Sequence, residues 1–166
     1  GVFYHNAMDV VAMAALLSRV ASMLHDPFNG HVQHGLDFIA IGKLFEDLRE
    51  WDRAARLFEH GLTLDLTETD FGSAVERLSH LQKRRGDLGK AVRLWEQAAG
   101  QGHIYAHVEL AKHYEHRLRD YDSAMQWVAS ALELVKTSEL PKYIQKHWKD
   151  ELAHRNERLK KKRKGK

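Results

Sequence analysis

His5 and Asp9 stand four residues apart near the start of the chain. On a helix that spacing puts both side chains on one face. The plainer reading makes Asn6 a helix cap and Asp9 a first-turn acid at the positive end of the helix dipole. His103 and His107 repeat the four-residue spacing, and His113 and His116 are three apart, so either pair can hold zinc on one helical face. No third ligand stands at matching spacing, and no metal site is expected in this chain. Glu46 and Asp47 are neighbours, about 100° apart around a helix, and form no catalytic dyad. Gly100-Gln101-Gly102 is too short for a phosphate loop. No Gly-x-Ser-x-Gly, His-Glu-x-x-His or Walker pattern occurs. With 0 cysteines, disulfides, thiolate zinc sites and thiol nucleophiles are excluded.

The elements that must carry these residues read as helices. The chain has 166 residues, 43% hydrophobic and 30% charged, with only 2 prolines and 11 glycines and no alternating β-branched runs. That composition predicts an all-α protein. Asn6 opens a first helix to about Leu24, in which Val10, Met13, Ala14, Leu17, Val20 and Leu24 form one stripe expected to be buried. Asp26-Pro27-Phe28-Asn29-Gly30 breaks it. Further helices are expected over about 35–49, 51–64, 88–99, 104–117 and 122–135. Another, capped by Thr67 or Thr69, ends at Gly86. Pro141 opens an eighth. No apolar run approaches the roughly 20 residues that a bilayer span needs. Absent cysteines fit a cytoplasmic location. The chain starts at Gly1 and reads as a piece of a longer protein.

Self-comparison organises the helices into pairs. Glu50-Trp51-Asp52-Arg53-Ala54, Asp87-Leu88-Gly89-Lys90-Ala91 and Asp120-Tyr121-Asp122-Ser123-Ala124 align as an acid, a large apolar residue, two variable positions and alanine. Four residues after each alanine come Phe58, Trp95 and Val128, and seven after it Gly61, Ala98 and Ala131. Upstream, Gly42, Ser79 and Ala111 supply a small residue, followed three later by Phe45, Gln82 and Tyr114. Small residues let antiparallel helices approach, and the aromatic beside them fills the groove. The third unit carries one extra residue in its turn, within His116-Arg117-Leu118-Arg119-Asp120.

Over residues 35–137 this pattern resembles the tetratricopeptide repeat, whose period is about 34 residues. Ser79 and Gln82 depart from the small and aromatic residues usual there. The resemblance implies an α-solenoid of stacked antiparallel helix pairs with about eight helices, closed by a capping helix over 141–159. It further implies a concave, ligand-binding face made by the first helix of each pair. Lys43, Glu46 and Asp47 would come from the first unit, Glu76, His80, Lys83 and Arg84 from the second, and Val108, Lys112 and His116 from the third. Such a face has mixed charge with a basic centre and fits a protein or peptide partner. The Lys/Asn clamp for a C-terminal carboxylate is not found at these positions.

The segment Tyr4-His5-Asn6-Ala7-Met8-Asp9, continuing to Leu17, resembles the last helix of a ribonuclease H-like 3′–5′ exonuclease domain. The order of parts, and the segment from His113 to Tyr121, resemble the YprB-type ribonuclease H-like family, in which such a domain precedes tetratricopeptide-like repeats. The resemblance implies that residues 1–25 are either the end of that domain or an N-terminal capping helix. It also gives Asp9 a role at magnesium or manganese and His5 a role in water activation in the parent protein. The other acidic ligands would come from a sheet that this chain lacks. The fragment is therefore expected to need no cofactor and to be no enzyme.

Charge is uneven: residues 142–166 hold 11 Lys/Arg against 3 Asp/Glu, and residues 1–141 hold 15 against 20. Lys160, Lys161, Lys162, Arg163 and Lys164 are expected to form a disordered basic tail over 160–166, able to contact nucleic acid. The expected function is a non-catalytic interaction module at the C-terminal end of an exonuclease-like protein, with no membrane partner. The alternative is a free-standing peptide-binding scaffold without any nuclease link.

Overall fold

The computed structural model describes residues 2–165, with side chains from Tyr4 onward. The described residues are helical with no strand, in the order α1 (Val2–His25), α2 (Gly35–Asp47), α3 (Trp51–Gly61), α4 (Glu68–Arg84), α5 (Leu88–Gly100), α6 (Ile104–His113), a π-helical turn (Tyr114–Leu118), α7 (Tyr121–Thr137) and α8 (Lys142–Lys164). The chain divides into two compact units after Phe71, so α4 begins in the first and runs through the second.

In the first unit, α2 and α3 pair through Phe38, Ile39, Ile41 and Phe45 against Ala54, Ala55, Leu57 and Phe58, all buried. A small residue at Gly42 fits this contact: a Cβ there would lie 3.4 Å from both Leu57 and the Phe58 ring, at ordinary van der Waals distance. Phe28 and His60 stack around Phe38, and Arg53 lies 3.8 Å over the Phe45 ring while donating to the Leu24 carbonyl at 3.0 Å. That last bond secures only the end of α1. Val10, Met13, Leu17 and Val20, expected to form a buried stripe, are exposed; Leu17 is 70% exposed. The expectation fails because apolar periodicity shows that a helix has a face to bury, not that the covering partner lies in the same chain. Over Tyr4–His25, 22 residues, α1 is also long and apolar enough to cross a bilayer by length and composition, which corrects the expectation that no segment reaches that length. Helix α1 starts at Val2, so Asn6 lies within it and caps nothing.

The aligned register is buried in each pair. Ala54, Ala91 and Ala124 have no exposed surface, and Phe58, Trp95 and Val128 are at most 1% exposed. Ser79 and Gln82, the two departures from the repeat pattern, are buried as well. Thr67 caps α4 reciprocally: its hydroxyl accepts from the Asp70 N–H at 3.1 Å and donates to the Asp70 carboxylate at 2.7 Å. The aligned acids Asp87 and Asp120 are N-caps, accepting from the N–H groups of Lys90 at 3.1 Å and Ser123 at 3.0 Å.

Each pair turns through one left-handed residue: Arg49 (φ 62°), Gly86 (φ 83°) and Arg119 (φ 55°). After the first two, the N–H of Glu50 or Asp87 donates to the carbonyl five residues back, at Phe45 or Gln82, each at 2.9 Å. After the third, the Asp120 N–H reaches six residues back to Tyr114 at 3.0 Å. The extra residue is accommodated as the π-helical turn, so α7 keeps its pairing with α6.

Ala91→Leu adds bulk at a position with no exposed surface. It should lower the unfolding free energy by about 1–3 kcal/mol through overpacking, measured as a shift in urea midpoint. An unchanged midpoint would contradict the repeat register.

Candidate functional site

The second unit carries a groove along α4, α6 and α8, positioned by the same helical pairing. Its outer part is a cavity of about 180 Å³ lined by Glu76 and His80 of α4, Tyr105 and Val108 of α6, and Trp148 and Glu151 of α8. Burial, followed by the Glu76 charge, raises the Tyr105 hydroxyl above its ordinary pKa, so it stays protonated at neutral pH. Its oxygen is enclosed without a hydrogen-bond partner.

A second cavity, of about 380 Å³, opens beside the first; both are bordered by Glu109 and Lys112. Lys83 from α4, Leu88 and Trp95 from α5, and His113, His116 and Arg117 from α6 and the π-helical turn complete most of its wall. Glu109 is 7% exposed and accepts from Lys83 at 2.8 Å and Lys112 at 2.7 Å. Burial alone would raise its pKa, but these two ammonium groups outweigh it and hold the carboxyl below its usual range. Burial, reinforced by Arg117, lowers the pKa of His113, leaving a neutral ring at neutral pH. The Trp95 Nε1 and His113 Nδ1 atoms are both enclosed with no hydrogen-bond partner.

Helix α8 is held by one carboxylate. The Glu115 side chain is fully buried in the π-helical turn and accepts from Arg155 at 3.2 Å, from Arg158 at 2.9 and 2.7 Å, and from Lys162 at 2.9 Å. Burial acts to raise its pKa, yet the bonds from Arg158 and Lys162 dominate and bring it down to about 2. Leu152 and Leu159, both fully buried, flank these cations. This corrects the expected disordered tail and the boundary at 159: α8 runs to Lys164 because Lys162 bonds Glu115, Lys160 bonds Glu157 and Arg163 bonds Asp122. Trp148 is half-buried against the α6–α7–α8 core, and Tyr143 is exposed.

The groove brings together Glu76, His80, Lys83, Val108, Lys112 and His116 of the residues expected there. Val108 is itself almost entirely core. Arg84 lies one position along α4 from Lys83 and is exposed. Lys43, Glu46 and Asp47 sit on α2 of the first unit, the first two half-buried. His5 and Asp9 are exposed on α1. Among the described residues no three His, Asp or Glu side chains gather as a metal site. The His107 Nδ1 faces the His103 carbonyl at 3.1 Å and its ring packs edge-on to Trp127, which gives that histidine a structural use.

Sequence reasoning weighed His113 only as a zinc ligand beside His116, and missed Trp95 and Glu115 as site residues. The spacing of Leu152, Arg155, Leu159 and Lys162, alternately three and four apart, was the available signal for the last. It places the cations on the same helical face as buried leucines.

Comparison with known proteins agrees with this architecture. The tetratricopeptide repeat family matches residues 38–70. The crystal structure of PcrH from Pseudomonas aeruginosa superposes with a TM-score of 0.60 at 16% identity, covering 76% of this chain and 91% of that one. PcrH in complex with the chaperone binding region of PopD superposes equally well, with the same identity and coverage. MamA gives a TM-score of 0.52 at 16% identity over 91% of this chain and 88% of that chain. The fold class is therefore all-α helical repeat of the tetratricopeptide type. The uncharacterized protein YprB of Bacillus subtilis (strain 168) is 31% identical over 136 residues, 80% of this chain and 32% of that protein. The chain spans about a third of the length of this curated relative.

Proposed function

We propose that this chain is a non-catalytic, cytoplasmic protein-interaction module that receives a peptide in the groove of its second unit. The carrying observation is the pair of neighbouring cavities, lined by charged and aromatic side chains, that share Glu109 and Lys112 as a common border. PcrH, which has the same fold, is described in complex with chaperone binding regions of PopD and PopB, and this supports a peptide as occupant. Fluorescent peptides titrated into the chain should bind saturably. Substituting both Glu76 and His80, half-buried on the groove wall, should weaken them at unchanged thermal midpoint. Failure of any peptide to bind would reject the reading.

Nucleic-acid contact is a second reading, favoured by the exposed lysines Lys160, Lys161 and Lys164 on α8. Each phosphate contact adds about −0.7 to the log–log salt slope on single strands. Replacing Lys160 and Lys164 with Gln should flatten that slope, whereas removing residues 160–166 would also take Lys162 from Glu115.

We further propose that α1 belongs to a preceding ribonuclease H-like exonuclease domain in a longer protein. Its exposed apolar residues call for a covering partner, and the chain covers only 32% of its curated relative. His5 and Asp9 alone do not fit a two-metal site: magnesium prefers near-octahedral oxygen coordination, and one carboxylate supplies too little of it. No catalytic step is therefore assigned to this chain. In the longer protein, Asp9→Asn should abolish magnesium- or manganese-dependent cleavage with the repeats still folded, as read by nuclease assay and circular dichroism. Cleavage indifferent to that change would remove Asp9 from the reading.

A further inference from the structure

We infer that the 380 Å³ cavity is a receptor for one acidic side chain of the bound peptide, which extends the peptide-binding reading above and rests on it. Its wall carries three permanent cations, Lys83, Lys112 and Arg117, against one carboxylate, Glu109. That carboxylate already accepts from both lysines and stays ionised, so the surplus charge of the cavity is positive.

Two further groups lack an acceptor or donor. Trp95 is 1% exposed, and its enclosed indole N–H, which can only donate, has no acceptor. The His113 Nδ1 is likewise enclosed and unpaired, and the neutral ring can place its proton there. Both atoms are closed to a water-sized group, so the surplus cations, not these donors, are what a ligand meets. An entering carboxylate brings two oxygens that accept from Lys83, Lys112 and Arg117 on the wall, and charge-assisted bonds of this kind are the strong ones. Leu88, half-buried on the wall, gives an apolar surface for the aliphatic stem that carries the carboxylate.

The neighbouring cavity decides between an acidic peptide and a nucleic-acid strand. It shares Glu109 and Lys112 with this one and adds Glu76 and Glu151. A strand carries a charge at every nucleotide and would set the next phosphates against those two carboxylates. A peptide can place one acid in the basic cavity and neutral or basic residues beyond it.

The test uses the whole 166-residue chain, labelled with nitrogen-15, and the acetylated, amidated peptide Gly-Ser-Gly-Leu-Glu-Leu-Gly-Ser-Gly as probe. Matched peptides carry Gln or Lys in place of the Glu, and inorganic phosphate and a twelve-nucleotide oligothymidylate form the remaining arms. The readout is the indole cross-peak of Trp95, assigned by its loss in Trp95→Phe. The Glu peptide should shift it saturably, with the Gln and Lys peptides at least about tenfold weaker. Arg117→Gln, at an exposed position, should weaken the Glu peptide about tenfold and leave the Gln peptide unchanged. Equal binding of Glu and Gln peptides overturns the inference. So does a static Trp95 peak while the Trp148 peak moves, an outcome that leaves the interaction-module reading standing. Tighter binding of phosphate or oligothymidylate at Trp95 also overturns it, and absence of binding by all three peptides removes both readings.

Discussion

Glu115→Ala should destabilise the second unit by about 3–5 kcal/mol, because it leaves buried cationic surface without its counter-charge. Arg155 bears most of that cost: its side chain is 9% exposed and would keep a longer 3.6 Å ion pair to the part-exposed Glu151, whereas Arg158 and Lys162 are 38% exposed and can hydrate. The double variant Glu115→Leu with Arg155→Met removes both buried charges at similar volume and should recover most of the loss. Urea unfolding of the three proteins checks the pattern. The same carboxylate sets an acid response. A carboxyl whose folded pKa is depressed stabilises the fold above its unfolded value and loses that contribution as pH falls through the folded one. With the folded value at about 2 against an ordinary 4.5, the contribution is complete above pH 4.5 and fades between there and pH 2. Glu115→Gln should flatten the stability profile in that window, and an identical profile would show that the carboxylate is not ionised in the fold.

Trp95→Ala should cost about 3–5 kcal/mol, the range for truncating a fully buried indole. The ring sits four residues after Ala91, in the position that Phe58 and Val128 hold in the other pairs, and is 1% exposed. Trp95→Phe keeps most of the apolar area and eliminates the partnerless N–H, so it should cost under about 1.5 kcal/mol. Denaturant midpoints of the two variants should therefore differ several-fold in their displacement. Similar losses would mean that the N–H, not the packing, is what the site requires.

Local rules made much of the fold legible. Alanine, the aromatic four residues on, and the acid before them each answer to one helix crossing or one cap, and such geometry is written within about a dozen residues. Thr67 and Gly86 follow from capping and left-handed turns for the same reason. The groove was half legible: matching the tetratricopeptide repeat positions placed Glu76, His80 and Lys112 on one face, but repeat position cannot show that two lysines converge on Glu109. The two ends of the chain misled in opposite directions. Around α1 the apolar spacing promised burial that this chain does not provide. Along α8 a run of lysines and arginines looked solvated, because charge counted along a sequence does not reveal a single buried carboxylate 40 residues earlier in the chain.

The π-helical turn between α6 and α7 has a consequence for how such arrays change over generations. An added residue inside a helix would rotate everything after it by about 100° and turn buried positions outward. Here the surplus is taken up between Tyr114 and Asp120, and Ala124 still arrives with no exposed surface. Insertions at this corner are thus mutationally silent toward the downstream helices, while the same insertion a few residues later would be lethal to the pairing. Length variation among homologous arrays should collect at such corners, and a protein engineer seeking room for a grafted loop would begin beside Leu118, which is already 55% exposed.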